Sequence, residues 1–192
     1  LPDIKTLLFD LDGTLIDTAP DMAYALDILR QEEQRKAMPY EQVRPIVSNG
    51  SMALVQLGFS DVTDEAELER LKQRYLEIYQ DNLCVKSVLF DGMLELLEQA
   101  ENNDLNWGVV TNKPGWLTDP LMQQIGLFDR AACIVSGDTT RNRKPHPEPI
   151  YHACLAAGSK PFECLYVGDA RRDIEAGNRA GMPTLIAMYG YI

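Results

Sequence analysis

Cations are scarce in this chain. Its 18 lysines and arginines face 29 aspartates and glutamates, for a formal net charge of -11 and a pI near 4.6. No basic block offsets the acid, which argues against a nucleic-acid or other polyanionic partner. An anionic small molecule would need positive charge concentrated at its own site. Histidine is rarer still, with only His146 and His152. The four cysteines, Cys84, Cys133, Cys154 and Cys164, show no Cys-x-x-Cys spacing. A zinc site is therefore not expected, and free thiols in a reducing compartment are the simpler reading. No apolar run is long enough to span a membrane, and the first strand starts almost at residue 1. The expectation is a cytoplasmic chain with no signal peptide and no membrane partner. Against these absences stand 192 residues, 45% of them hydrophobic, enough for one core domain and a modest insertion.

The chain is organised around Lys5 to Asp17, KTLLFDLDGTLID. Leu7-Leu8-Phe9 has the continuous apolar character of a buried parallel strand. Asp10 and Asp12 follow where that strand should stop. Residues i and i+2 of an extended chain point the same way, so both acids can face one small site. Gly13 permits a sharp turn, and Thr14 adds a hydroxyl. An acidic Asp-Gly turn alone is common. Paired acids at a strand end, however, raise each other's pKa unless a cation sits between them. A magnesium ion would relieve that cost, and magnesium is usually held by one or two carboxylates plus substrate phosphate.

Downstream, Thr18-Ala19-Pro20-Asp21 reads as a helix start, with Thr18 as N-cap and Asp21 placed as in a capping box. Helical spacing continues through Leu29, then after Pro39 to Val47, from Ser51 to Leu57, and from about Asp64 to Asn82. No strand is evident between Asp17 and Cys84. From Val85 the pattern changes to alternating helices and strands. The strands are Trp107–Val110, Cys133–Val135, Cys164–Val167 and Thr184–Ala187. The expected fold is α/β: a doubly wound parallel sheet formed by residues 1–17 and 85–192, with an all-helical cap domain inserted over 18–84. In such sheets ligands bind beyond the carboxyl ends of the strands, and the polar clusters lie there.

Three clusters accompany the first. Thr111-Asn112 ends one strand; a threonine hydroxyl and the N–H groups after it can hold phosphate oxygens, or the pair can be a plain turn before Pro114. Lys113 can reach a substrate or simply lie in solvent. Lys144 can neutralise both a carboxylate and a phosphate, although Arg141 and Arg143 beside it carry the same charge. Asp169 ends another strand and can face the same cation as Asp10. Asp173 can support a metal or cap the next helix. Arg171 and Arg172 read as surface residues, and His146 as structural.

Taken together, FDLDGTLIDT, VVTNKP, KPHPEP and VGDARRDIEAG resemble the four motifs of the haloacid dehalogenase superfamily, in its phosphatase branch. The dehalogenases proper lack the second aspartate, so Asp12 favours phosphoryl transfer. The resemblance implies a magnesium-dependent phosphate monoesterase acting on a small phosphorylated metabolite, as monomer or homodimer. It makes Asp10 the nucleophile and Asp12 the general acid/base. Thr111, Asn112 and Lys144 would hold the phosphoryl group, and Asp10, Asp12, Asp169 and Asp173 the metal. Within the superfamily DTAPD, SNGS, TNKP and the size of the helical insertion look like phosphoglycolate phosphatases. LFDGM, WGVVTNKP, LMQQIGL and YGYI look closer to N-acetylmuramic acid 6-phosphate phosphatases. Candidate specificity residues in the insertion are Thr18 and the turn Ser48-Asn49-Gly50-Ser51, whose N–H groups could attract an anion.

Three other readings remain open here. A β-phosphoglucomutase-like mutase shares the fold and nucleophile, but the mutases compared carry an early cap histidine, and this chain has none before His146. A phospho-accepting receiver module uses similar residue types, yet lacks the Asp-x-Asp spacing and the long helical insertion. A family member that binds without turnover is disfavoured by four filled motifs.

Overall fold

A computed structural model describes residues 3–191. The chain divides into two compact units, one built from the chain up to Asp17 together with Leu89–Gly190, the other from Thr18–Val88 together with Tyr191. The return to the first unit thus comes at Leu89, a few residues beyond Val85.

The first unit is a five-stranded parallel sheet flanked by helices. Its strands are β1 (Thr6–Phe9), β4 (Asn106–Val110), β5 (Cys133–Val135), β6 (Cys164–Gly168) and β7 (Thr184–Ile186), in the order β5-β4-β1-β6-β7. The central strand is the apolar run of the opening motif. Leu8 and Phe9 are buried, as are Val109, Val110 and Tyr166 on its neighbours, the pattern of a sheet covered on both faces. Helices α5 (Met93–Asn102), α6 (Gly115–Gln124), α7 (Glu148–Ala156) and α8 (Arg171–Arg179) provide the crossovers.

Register places the site. Phe9 pairs with Val109 on one side and Val167 on the other. The ladder runs one step further, with Asp10 N–H donating to the Val167 carbonyl at 2.8 Å and Thr111 N–H to the Val135 carbonyl at 2.9 Å. Asp10, Thr111 and Asp169 therefore leave the sheet along one edge. The chain runs outward from β1 to β4 and β5, then crosses back to β6 and β7, so that edge contains the topological switch point. A separate two-stranded sheet joins β2 (Ile16–Asp17) and β3 (Val88–Leu89).

The second unit is helical: α1 (Ala19–Glu32), α2 (Tyr40–Val43), a 3-10 turn over Arg44–Asn49, α3 (Ser51–Gly58) and α4 (Glu65–Asp81). Asp64 caps α4 by accepting the Glu67 N–H at 2.9 Å. Leu71, Tyr75, Ile78 and Tyr79 form its buried stripe, and Tyr75 Oη donates to the Met22 carbonyl of α1 at 3.2 Å.

The start of α1 differs from the local expectation. Thr18 makes no side-chain capping bond; the N–H groups of Thr18 and Ala19 donate to Tyr191 Oη at 2.7 and 2.9 Å instead. Asp21 does not complete a capping box. Its buried carboxylate accepts the Lys86 N–H, the Ser87 N–H and the Ser87 hydroxyl at 2.7–2.9 Å. Local rules name Asp21 a cap, but the segment returning at Ser87 offers three donors to one charge, and charge-assisted bonds are the stronger ones. Asp21→Ala should therefore cost about 3 kcal/mol or more in urea unfolding, because it strands those donors. A loss below about 1 kcal/mol, the size of a missing cap, would assign Asp21 a lesser role.

Candidate active site

The edge beyond the strands carries a dense charge cluster. Lys144 has no exposed side-chain surface. Its ammonium lies 2.9 Å from Asp10 Oδ1, 2.7 Å from Asp173 Oδ1, and 2.7 Å from both the Val110 carbonyl and Tyr166 Oη. Asp10 Oδ1 also accepts the Leu11 N–H at 2.7 Å. The backbone behind Lys144 is clamped by Asn112, whose Oδ1 accepts the Lys144 N–H at 3.0 Å while its Nδ2 donates to the Lys144 carbonyl at 2.9 Å. The cluster thus singles out Lys144 among its basic neighbours; Arg143 turns away to donate to the Gly137 carbonyl.

Asp173 serves two purposes. Oδ2 accepts the Ala170 N–H at the start of α8 at 2.9 Å, while Oδ1 takes Lys144. Burial alone would raise its pKa, but Lys144 and Arg172 outweigh that and hold the carboxyl below the usual carboxylate range. Its approach needs Gly168 to lack a side chain, since a Cβ there would stand 2.4 Å from Asp173 Cβ. Asp10 behaves oppositely. Burial first, then the Asp173 charge, push it up to about 7 despite Lys144 and Arg172.

Asp12 does not share the Asp10 counter-ion. After Phe9 the chain leaves the extended conformation, Gly13 takes φ 83°, and Asp12 Oδ1 pairs with Lys113 Nζ at 2.9 Å. The Lys113 side chain is only 5% exposed, so the solvent-lysine alternative falls: Lys113 packs against the first motif. Thr111 is buried, its Oγ1 accepting the Lys113 N–H at 3.1 Å. Asn112 points its side chain at the Lys144 backbone. Thr14 Oγ1 is buried with no hydrogen-bond partner among the described residues. Thr18 and Ser48-Asn49-Gly50-Ser51 belong to the helical unit. There Thr18 is buried and Asn49 exposed, and Gly50 takes φ 87° between the 3-10 turn and α3. His146 accepts the Glu148 N–H through Nδ1, a structural use.

The family model described as haloacid dehalogenase-like hydrolase matches residues 7–187. The chain belongs to that family. It is 42% identical over 189 residues to an N-acetylmuramic acid 6-phosphate phosphatase of Pseudomonas putida, covering 98% of this chain and 85% of the relative. It is 40% identical over 187 residues to a phosphoglycolate phosphatase of Xanthomonas campestris pv. campestris, covering 97% and 84%. The crystal structure of a predicted phosphoglycolate phosphatase from Haemophilus somnus superposes with a TM-score of 0.88 at 29% identity, covering 100% of this chain and 88% of the other.

Hydrolases of the haloacid dehalogenase-like family generally use a divalent metal, and the donor set here fits one. Asp10, Asp169 and Asp173 are all buried, and each offers an oxygen within 4.8 Å of the others. All-oxygen donors of this kind suit a hard cation. Family membership also sets the receiver-module reading aside. Sequence reasoning missed Tyr166, a buried strand residue whose hydroxyl donates to the Val110 carbonyl at 2.8 Å, and Arg172, with Nη2 3.9 Å from Asp10 Oδ2. The hydroxyl of Tyr166, in the middle of the otherwise apolar run of β6, was a usable signal for the first; nothing local separates Arg172 from Arg171. The cysteines are free, three of them buried, and burial pushes the Cys133 thiol up to about 11.

The Asp10 environment has a consequence for stability. Folding favours its protonated form, so this contribution is complete below about pH 4, the unfolded value, and is lost as pH rises toward 7. With divalent cations chelated, the stability of the wild type relative to Asp10→Asn should fall across that window in thermal melts, and an added divalent cation should reverse the fall. A flat difference would refute the assignment.

Proposed function

We propose that this protein is a magnesium-dependent phosphatase that hydrolyses small phosphate monoesters through an aspartyl-phosphate on Asp10. The observation that carries this is the tethering of Asp10: its Oδ1 is fixed by Leu11 N–H and Lys144, which leaves Oδ2 to attack. Asp10 Oδ2 forms the bond to phosphorus as the bond to the leaving alcohol oxygen breaks. Asp12, held through Oδ1 by Lys113, delivers a proton to that oxygen. The resulting Asp12 carboxylate then takes a proton from the water that attacks phosphorus, and the Asp10–phosphorus linkage breaks. Lys144 keeps the nucleophile in place and opposes the negative charge of the phosphoryl group. The Thr111 hydroxyl and the N–H of Asn112 complete the phosphoryl contacts. Asp10, Asp169 and the Asp12 carbonyl would hold the metal, with Asp173 supporting them through Lys144. When bound, the ion neutralises the carboxylates and the phosphoryl oxygens together.

The leaving group is a carboxylate-bearing alcohol in this reading. Phosphoglycolate is the first candidate and N-acetylmuramic acid 6-phosphate the second; relatives named for each are about equally similar, and both compounds carry a carboxylate as well as a phosphate ester. Residues 18–84 act as a cap, with Thr18 and Ser48 to Ser51 contacting the alcohol portion.

Phosphate release from both compounds, with and without magnesium, tests this directly. Asp10→Asn should lower kcat by about a thousandfold or more while the protein remains folded. Retention of metal-dependent turnover in that variant would remove Asp10 as nucleophile. Replacing Asn49 and Ser51 together should reduce kcat/KM on the better substrate by roughly tenfold and leave a simple aryl phosphate unaffected; equal rates on both would exclude this turn from substrate contact.

A further inference from the structure

Two arginines open helix α8, and they face different surroundings. The Arg171 side chain is 92% exposed and pairs with Glu175 one turn along. The Arg172 side chain is 22% exposed and turns inward, with Nη2 3.9 Å from Asp10 Oδ2. That distance is an ion pair without a direct hydrogen bond. Arg172 Nε is buried and has no hydrogen-bond partner among the described residues. A stranded guanidinium donor in a protein interior is costly, and another nitrogen of the same guanidinium, Nη2, faces the oxygen left open by Lys144 and Leu11.

The charge count around it is informative. Asp10, Asp169 and Asp173 converge within 4.8 Å, and Lys144 contacts Asp10 and Asp173. One ammonium cannot balance three carboxylates. Burial opposes charge on Arg172, yet the Asp10, Asp173 and Asp169 carboxylates more than compensate and hold the guanidinium firmly protonated. Its position serves no helix contact of the kind Arg171 makes.

We infer that Arg172 is a positioning residue: a fixed counter-charge that orients Asp10 Oδ2 and restrains the affinity of the acidic group for a divalent cation. The two cations divide the Asp10 carboxylate between them, Lys144 holding Oδ1 and Arg172 facing Oδ2. A guanidinium this close to the carboxylates repels an incoming cation while keeping the three acids compatible with one another in its absence. The orientation role rests on the proposed nucleophilic function of Asp10; the effect on cation affinity does not.

The test uses Arg172→Gln and Arg172→Lys in the full chain, after circular dichroism shows both folded. Isothermal titration with magnesium alone should show tighter binding by Arg172→Gln, on the order of tenfold, with Arg172→Lys restored toward the wild type. A merely structural arginine would leave affinity unchanged or weaken it in both variants, and either result overturns the inference. In the phosphatase assay Arg172→Gln should lower kcat by about a hundredfold with KM within a few-fold. An unchanged kcat beside an inactive Asp10→Asn would refute the orientation role alone. Absence of turnover in the wild type would refute the phosphatase reading and leave the titration to decide the charge role.

Discussion

The Lys144 ammonium is the contact on which the α/β unit's polar edge depends. It has no exposed surface and touches oxygens contributed by the end of β1, the end of β4, strand β6 and helix α8. Burying an ammonium is unfavourable unless its donors are satisfied and its charge is balanced. Here each requirement constrains a different element. Asp10 must leave the sheet beside β4, Tyr166 must point its hydroxyl from within β6 toward that end of the sheet, and α8 must begin close enough for Asp173 to reach across Gly168. The Asn112 clamp fixes the backbone from which the lysine extends. Moving any one of these leaves a buried charge unpaired.

A second lysine–aspartate pair runs parallel to the first. Lys113 takes Asp12 as Lys144 takes Asp10, so the two acids of the opening motif face separate cations and keep separate chemistry. This answers the poverty of positive charge in the composition. The chain carries an excess of acid overall, yet it directs Lys113, Lys144 and Arg172 to one edge of one sheet. Its other basic residues largely solvate helix faces. Arg70 and Arg74, for instance, hold exposed pairs with Glu33 and Glu32 of the sort that contribute little to stability.

Under the proposed chemistry, attack on phosphorus is indifferent to the alcohol that departs. Relatives named for different substrates can therefore share the motifs at comparable identity. Selectivity between alcohols has to come from residues that do not touch phosphorus, the part proposed for residues 18–84.

Much of the α/β unit was readable in advance because buried parallel strands need unbroken apolar runs and their ends collect polar residues. Trp107–Val110 and Cys164–Val167 announce themselves in this way, and with them the positions of Thr111 and Asp169. Asp10, Lys144 and Asp173 were likewise flagged as chain positions. Their partners were not. Lys113 and Asp12 are 101 residues apart, and a lysine between asparagine and proline carries no local sign of burial. Arg171 and Arg172 are adjacent and chemically identical, so only the pitch of α8 decides which faces Asp10. Asp21 follows local capping rules on paper, yet Ser87, 66 residues away, offers its carboxylate a better set of donors. The sequence by itself determined which residues end the strands, because hydrophobic periodicity is a short-range property. Tertiary structure alone decided which charges meet, because a counter-ion is chosen by distance through space, and the pairs that matter here join residues far apart in the chain.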